Sequence, residues 1–246
     1  MILVDTTNAR AVLLGNQLAG RLPEDLAVVV GGDGFLLSQV AARGTQLTWL
    51  GLNTGRLGFL LNDPGDDVDA LVDRIVRRSF TVRRLAMLTA RIWTAGRKRP
   101  SREVAVNDLY LERSSNQVAH LAVSVDGMVV VDPLTCDGLV LATALGSTAY
   151  AFSSGGPPVH PDVDALIVAP ICPHVPRLRP FVLHGDAVVK VSALSPDKRP
   201  IRAVVDGRPY EATLAVEVKL RRRALRLAWF DDEGPAARMV RKVLLS

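Results

Sequence analysis

Three stretches of this 246-residue chain carry residue types suited to chemistry. The first is Val28-Val29-Val30-Gly31-Gly32-Asp33-Gly34, an apolar β-branched run that ends in a glycine turn holding a carboxylate. Consecutive glycines let backbone N–H groups approach a phosphate, and a following helix adds its positive N-terminal end. A carboxylate repels phosphate, so Asp33 suits a base for a substrate hydroxyl or a magnesium ligand. Taken alone, the four residues fit equally well a strand–helix turn with Asp33 as the helix cap.

The second stretch is Asn107-Asp108, where an amide beside a carboxylate can hold the two hydroxyls of a ribose; alone, the pair is also ordinary turn chemistry. The third is Asp137-Gly138 with Gly146-Ser147-Thr148-Ala149-Tyr150. Gly146 and Ala149 leave room for a ring. Ser147 and Thr148 can donate to phosphate or ribose, and Tyr150 can stack on a base or cap a pocket. Ser153 and Gly155-Gly156 prolong the small-residue surface. No GxSxG elbow and no Walker A sequence is present, which argues against a serine hydrolase and a P-loop.

Composition narrows the partners. Hydrophobic residues make up 48% and charged residues 22%, the balance of an ordinary globular protein. Net charge is +5, but the basic runs at Arg83-Arg84, Arg97-Lys98-Arg99 and Arg221-Arg222-Arg223 are not interleaved with aromatics. A solvated basic surface or attraction of polyanionic phosphates therefore precedes nucleic acid as an explanation. No apolar run approaches the roughly 18–20 residues of a membrane span, and Asp5 interrupts the apolar start. A cytoplasmic protein without membrane or nucleic-acid partners is expected. The two cysteines and four histidines show no metal-ligand spacing, so no structural zinc site is expected and both thiols read as buried and free.

The elements that must position these residues change character along the chain. Strands at Met1–Val4, Leu26–Val30 and Leu47–Gly51 alternate with helices at Ala9–Leu22, Phe35–Arg43 and Asp66–Arg77, giving an α/β region. Short β-rich runs follow: Leu88–Trp93, Leu109–Glu112, Leu121–Val125, Val129–Val131, Leu139–Ala142, Ala165–Val168, Ala187–Ser192, Ile201–Val205 and Leu225–Trp229. Asp126-Gly127 and Asp206-Gly207 are hairpin signals, because a type I′ turn needs positive φ at both positions. Pro235–Leu245 has room for one helix. The expected division is an α/β domain over 1–83, completed by a helix in 231–246, and a β-rich domain over 84–230.

These motifs together resemble the NAD kinases, which transfer the ATP γ-phosphoryl group to the 2′-hydroxyl of the adenosine ribose of NAD. The resemblance rests on GGDG at Gly31–Gly34, NTGRLGFL at Asn53–Leu60, Asn107-Asp108 and DGLVLATALGSTAYAFSSGGPPVHP at Asp137–Pro161. APICPH at Ala169–His174, DKRP at Asp197–Pro200 and Asp206-Gly207 continue it. It implies a Rossmann-like α/β domain, a C-terminal β-sandwich domain that binds NAD, and a last helix returning to the first domain. It also implies ATP as donor, Mg²⁺ as metal and a homodimer or homotetramer.

Residue by residue, the resemblance makes Asp33 the catalytic carboxylate beside Gly31, Gly32 and Gly34. Asn107, Asp108 and Asp137 match the residues that hold NAD, and Thr148, Ala149, Tyr150 and Ser153 match the pocket lining. Arg208 stands where a glutamine is common. Three departures stand out. Asp108 replaces a usual glutamate, Phe35 a usual threonine, and Ala144-Leu145 a usual Pro-Thr or Pro-Ser. A related-fold kinase for a lipid or other small alcohol, and a non-catalytic NAD(P)-binding sensor, are the alternative readings.

Overall fold

In the structure, a computed structural model that describes residues 1–55, 58–230 and 234–245, the chain divides into two units. One is Met1–Leu85 with Arg223–Ser246; the other is Ala86–Arg222. Arg56 and Leu57 of the NTGRLGFL motif lie outside the described residues.

The first unit contains β1 (Ile2–Val4), α1 (Ala9–Leu18), β2 (Leu26–Gly31), α2 (Asp33–Arg43), β3 (Thr48–Asn53) and α3 (Val68–Val76). Its strands are parallel: Val28 pairs with Ile2 on one side and Leu50 on the other, and Arg226–Ala228 returns to pair with Thr48–Leu50. Every residue of β2 is buried because both faces are covered. Val28, Val30, Leu50 and Leu52 pack with Ala11, Leu14 and Leu18 of α1 and Leu71 and Ile75 of α3. α2 lies along β2 and β3, on the face toward which Ala27, Val29 and Trp49 alternate. Asn8 and Asp67 cap α1 and α3 by accepting backbone N–H groups, as their side-chain chemistry favours. α1 stops at Leu18 rather than Leu22, since Ala19 turns out of the helix at ψ 131° and Gly20 follows with a left-handed φ of 72°.

The second unit begins within β4 (Thr81–Thr94) and continues through β5 (Ser101–Ala105), β6 (Asp108–Arg113), β7 (Ala119–Val125), β8 (Met128–Cys136) and β9 (Gly138–Thr143). A 3₁₀ turn over Leu145–Thr148 leads to the short α4 (Tyr150–Ser153). Next come β10 (Ala165–Ile171), β11 (Phe181–His184), β12 (Val188–Ala193), β13 (Ile201–Val205) and β14 (Arg208–Trp229), with α5 (Pro235–Leu245) in the first unit. Two antiparallel series meet on β14. One runs β11-β10-β9-β6-β13-β14, and the other β14-β12-β7-β8. Leu109, Leu139, Leu141 and Leu166 of the first series share one core with Leu121, Val123, Val189 and Val191 of the second, the packing of a β-sandwich. Asp126-Gly127 joins β7 to β8 with positive φ at both residues.

β5 and β11 were not expected as strands, and β4 and β14 are longer than their apolar runs. β14 hides in the sequence because Val216 and Val218 are buried while Lys219 and the arginines after it are exposed. It is also broken by left-handed φ values at Ala212 (50°) and Arg223 (51°). Ala212 lies at the change of partner, since residues 208–213 pair with β13 and residues 215–219 with β12.

Candidate functional site

The glycine turn of the first unit is fixed from below and open above. Gly31 ends β2 in a crowded position, since an added Cβ would lie 3.0 Å from Phe35 and 3.1 Å from Asp5. At Gly32 and Gly34 an added Cβ meets nothing within 4 Å. Packing among the described residues thus gives no reason for glycine at these two positions, whereas an approaching ligand would. Gly32 caps α2, and the carboxylate of Asp33 does not act as the cap. Instead Oδ2 accepts from the Phe59 N–H at 2.9 Å and Oδ1 from the Leu60 N–H at 3.0 Å.

That receiving segment is itself held tightly. The Leu60 carbonyl accepts from Trp229 Nε1 at 2.9 Å and the Leu61 carbonyl from Arg238 at 2.8 Å. Buried Asn62 donates to the carbonyls of Gly51 and Ala228, both at 3.0 Å, and accepts from the Phe230 N–H at 2.8 Å. The motif after β3 is therefore a brace that orients Asp33, a role its composition did not announce.

In the second unit, Asn107 and Asp108 stand where the chain enters β6, with Asp108 only 7% exposed. Their backbone is gripped from two sides. Asp206 accepts from the N–H groups of Val106 at 2.7 Å, Asn107 at 3.0 Å and Asp108 at 3.2 Å. On the other side Thr143 Oγ1 donates to the Val106 carbonyl at 2.7 Å and accepts from the Gly146 N–H at 2.9 Å. Gly146 approaches so closely that an added Cβ would lie 2.1 Å from the Asn107 carbonyl oxygen. The Asn–Asp pair and the Gly-Ser-Thr-Ala-Tyr segment are thereby brought together. The Asn107 side-chain oxygen is buried and has no hydrogen-bond partner among the described residues, an expense that native structures seldom retain without use.

Gly146 to Ser153 covers the second face of β9 and β10. Leu139 and Leu141 point to the sandwich core, while Val140 and Ala142 pack with Ala151, Ile167, Ala169 and the partly buried Tyr150. Tyr150 meets Tyr110 edge to face, with ring centroids 4.9 Å apart and planes at 84°. Burial raises the pKa of both phenols, so both stay neutral at physiological pH. Thr148 is buried, Ala149 half-buried and Ser153 exposed. Ser147 corrects the sequence expectation: its hydroxyl is fully buried, donates to the Ala144 carbonyl at 2.6 Å and accepts from the Val159 N–H at 2.8 Å. It holds the turn together and is turned away from any phosphate.

The remaining candidates are less convergent. The Asp137 carboxylate pairs with Arg113 Nε at 2.8 Å. Arg208 donates to the Val104 carbonyl at 3.1 Å and lies 3.8 Å from Glu103, while its Nη1 is buried without a partner among the described residues. Cys136 is buried, and desolvation pushes its thiol up to about 12. Cys172 is exposed, contrary to the expectation that both thiols are buried, because it leaves β10 at a left-handed φ of 44°. A cleft of about 370 Å³ lined by Asp63, Asp66, Asp67, Arg74 and Phe230, among others, contains none of the expected site residues. Among the described residues no group of three or more His, Cys, Asp and Glu could hold a metal ion, and no helix is long and apolar enough to cross a membrane.

Comparison with known proteins follows the same motifs. Residues 106–222 match the ATP-NAD kinase C-terminal domain. NAD kinase 2 of Streptomyces coelicolor is 36% identical, over 90% of this chain and 74% of that protein. The NAD kinase of Corynebacterium diphtheriae is 32% identical, over 98% of this chain and 79% of that one. Among solved structures, yeast NADH kinase complexed with NADH superposes with a TM-score of 0.78 at 26% identity, covering 89% of this chain and 65% of the yeast chain. An Archaeoglobus fulgidus NAD kinase in complex with ATP shares the fold end to end, with a TM-score of 0.77 at 24% identity and coverage of 99% and 98%. With relatives this similar along most of their own length, the chain belongs to the NAD kinase family.

Proposed function

We propose that this chain phosphorylates the 2′-hydroxyl of the adenosine ribose of NAD with ATP, giving NADP and ADP. Membership of the NAD kinase family carries the reading. Two features of the chain support it: the uncrowded glycine turn beside an oriented carboxylate, and the Asn107 acceptor, without a partner among the described residues, in the segment packed against Gly146. In this reading Asn107 and Asp108 take the ribose hydroxyls. Tyr150, with Thr148 and Ala149, packs on a ring of the dinucleotide, and Asp137, Ser153 and Arg208 line the approach. The amides of Gly32 and Gly34 face phosphate oxygens, aided by the N-terminal end of α2.

Asp33 orients the 2′-hydroxyl and takes its proton. A bond forms between that oxygen and the γ-phosphorus, the bond from the γ-phosphorus to the β,γ-bridging oxygen breaks, and ADP departs with the electron pair. Positioning and charge stabilisation dominate such a transfer, which suits a carboxylate held by two amides of a braced segment. When bound, magnesium would supply charge neutralisation on the nucleotide phosphates, with Asp33 the carboxylate at the glycine turn that could approach it. The same reading makes the protein cytoplasmic and a homodimer or homotetramer, and sedimentation of the purified protein would test the assembly.

The deciding assay incubates purified protein with NAD or NADH, ATP and Mg²⁺ and measures NADP(H) with an NADP-specific dehydrogenase. NADP formation dependent on ATP supports the proposal. Binding of NAD without turnover would favour a sensor, and phosphorylation of lipid alcohols in preference to NAD a related kinase.

A further inference from the structure

We infer that Asp206 is a positioning residue for the NAD-binding part of the site. Resting on the function proposed above, this role belongs to a side chain that the reaction itself does not use. Its one carboxylate accepts three successive N–H groups, those of Val106, Asn107 and Asp108, across about a hundred residues of sequence. The contact is reciprocal, since the Asp206 N–H donates to the Asp108 carbonyl at 3.1 Å. Three consecutive amides converging on one carboxylate fix the peptide planes on both sides of Asn107, and with them the directions of the Asn107 and Asp108 side chains. The clamp is aimed by the β13–β14 hairpin, where Asp206 and Gly207 take left-handed φ values of 43° and 81°. Asparagine offers only one oxygen, and its NH₂ group would face a backbone N–H in place of an acceptor.

The energetics argue that the carboxylate is kept for position rather than for overall stability. Burial raises the pKa of Asp206, although the three amides and the nearby Arg208 oppose the rise. The charged form is thus less favoured here than in water, so the group costs folding stability at neutral pH. What it contributes is the shape of the segment that carries the Asn–Asp pair. Small errors in the placement of binding groups cost large factors in catalysis, so such a support is expected to act through substrate affinity.

The test compares wild type with Asp206→Asn, Asn107→Ala and the double variant in steady-state kinetics and in NAD binding by calorimetry. Asp206→Asn is expected to raise KM and Kd for NAD about tenfold or more, with KM for ATP unchanged within twofold. The double variant is expected to bind NAD no more than about threefold worse than Asn107→Ala alone, because both changes remove one interaction. NAD affinity within twofold of wild type in Asp206→Asn, or losses that multiply in the double variant, would overturn the proposal. If Asp206→Asn does not fold, Asp206→Glu, which keeps two acceptor oxygens, is read by the same criteria. A wild-type chain that binds no NAD overturns both this inference and the proposed function. A wild type that binds and phosphorylates NAD, with variants that match it, overturns this inference alone.

Discussion

Two aspartates do similar work in the two units and do it under different conditions. Asp33 accepts the N–H groups of Phe59 and Leu60 at the start of a helix, between Gly32 and Gly34, where an added Cβ would meet nothing within 4 Å among the described residues. Asp206 accepts three N–H groups at a hairpin tip, with its pKa raised by burial. In the parallel sheet the carboxylate stands at the carboxyl end of a strand, where open α/β sheets commonly bind ligands. The antiparallel sandwich folds its hairpin back on a neighbouring strand, so the same side chain becomes a support. In the function proposed above, one residue type thus serves as a reactant in one architecture and as a brace in the other.

The comparison breaks first at Asp33. Asp33→Asn is expected to lower kcat by about 10²–10⁴-fold, the range for loss of a general base, while calorimetry still detects NAD binding. Because asparagine satisfies only one of the two amides, hydrogen exchange at Phe59 and Leu60 should quicken as well. Near wild-type turnover at saturating substrates and metal would remove Asp33 from the chemistry.

Glycine substitutions sharpen the contrast. Gly146→Ala drives a Cβ into the Asn107 carbonyl, so thermal unfolding should show a loss of about 1–3 kcal/mol or more, together with weaker NAD binding. Gly32→Ala has space and an ordinary φ of −110°, so it should cost about 1 kcal/mol or less while raising KM for ATP. Equal effects on stability at the two positions would show that the open turn and the tight one do not differ as described.

Tyr150 tests the sandwich side alone. Tyr150→Phe keeps the edge-to-face contact with Tyr110 and is expected to bind NAD within about threefold of wild type. Tyr150→Ala forfeits a pair worth about 0.5–1.5 kcal/mol and, if the ring packs on the dinucleotide as proposed, should bind NAD more weakly than Tyr150→Phe. A titration in which both variants match wild type would make Tyr150 an ordinary core residue.

The smallest effect is one of pH. Asp206 has a raised pKa in the folded state, so just above the ordinary carboxylate range the folded chain keeps a proton that the unfolded chain has released. Its contribution to stability therefore falls as pH rises through that window, and Asp206→Asn should flatten this part of the urea-midpoint profile. Parallel profiles for wild type and variant would mean that burial does not perturb the group.

Much of the architecture could be read from local pattern. The uninterrupted Leu26–Val30 run marked a strand covered on both faces, the Asp66–Arg77 pattern marked α3, and Asp126-Gly127 marked a hairpin. These features depend on neighbours within a few residues, where periodicity and backbone preference are decisive. The motifs themselves, from the GGDG turn to Gly-Ser-Thr-Ala-Tyr, were enough to indicate the family. β14 escaped because its charged face and its left-handed residues at Ala212 and Arg223 interrupt the apolar alternation on which such a reading depends.

The direction in which each polar side chain faces was settled only by tertiary structure. Ser147 and Thr148 are adjacent hydroxyls in one motif, yet the Ser147 hydroxyl is used up inside the turn by Ala144 and Val159. Asp33 and Asp206 both stand beside glycines in the sequence, and nothing local indicates that one grips Phe59 and Leu60 and the other Val106 to Asp108. A carboxylate's partners are chosen by which unpaired N–H groups the fold delivers to it. Composition determined that this chain could build a phosphate turn and a ribose-binding pair, and the long-range pairing of strands and loops decided which side chains were left to serve them.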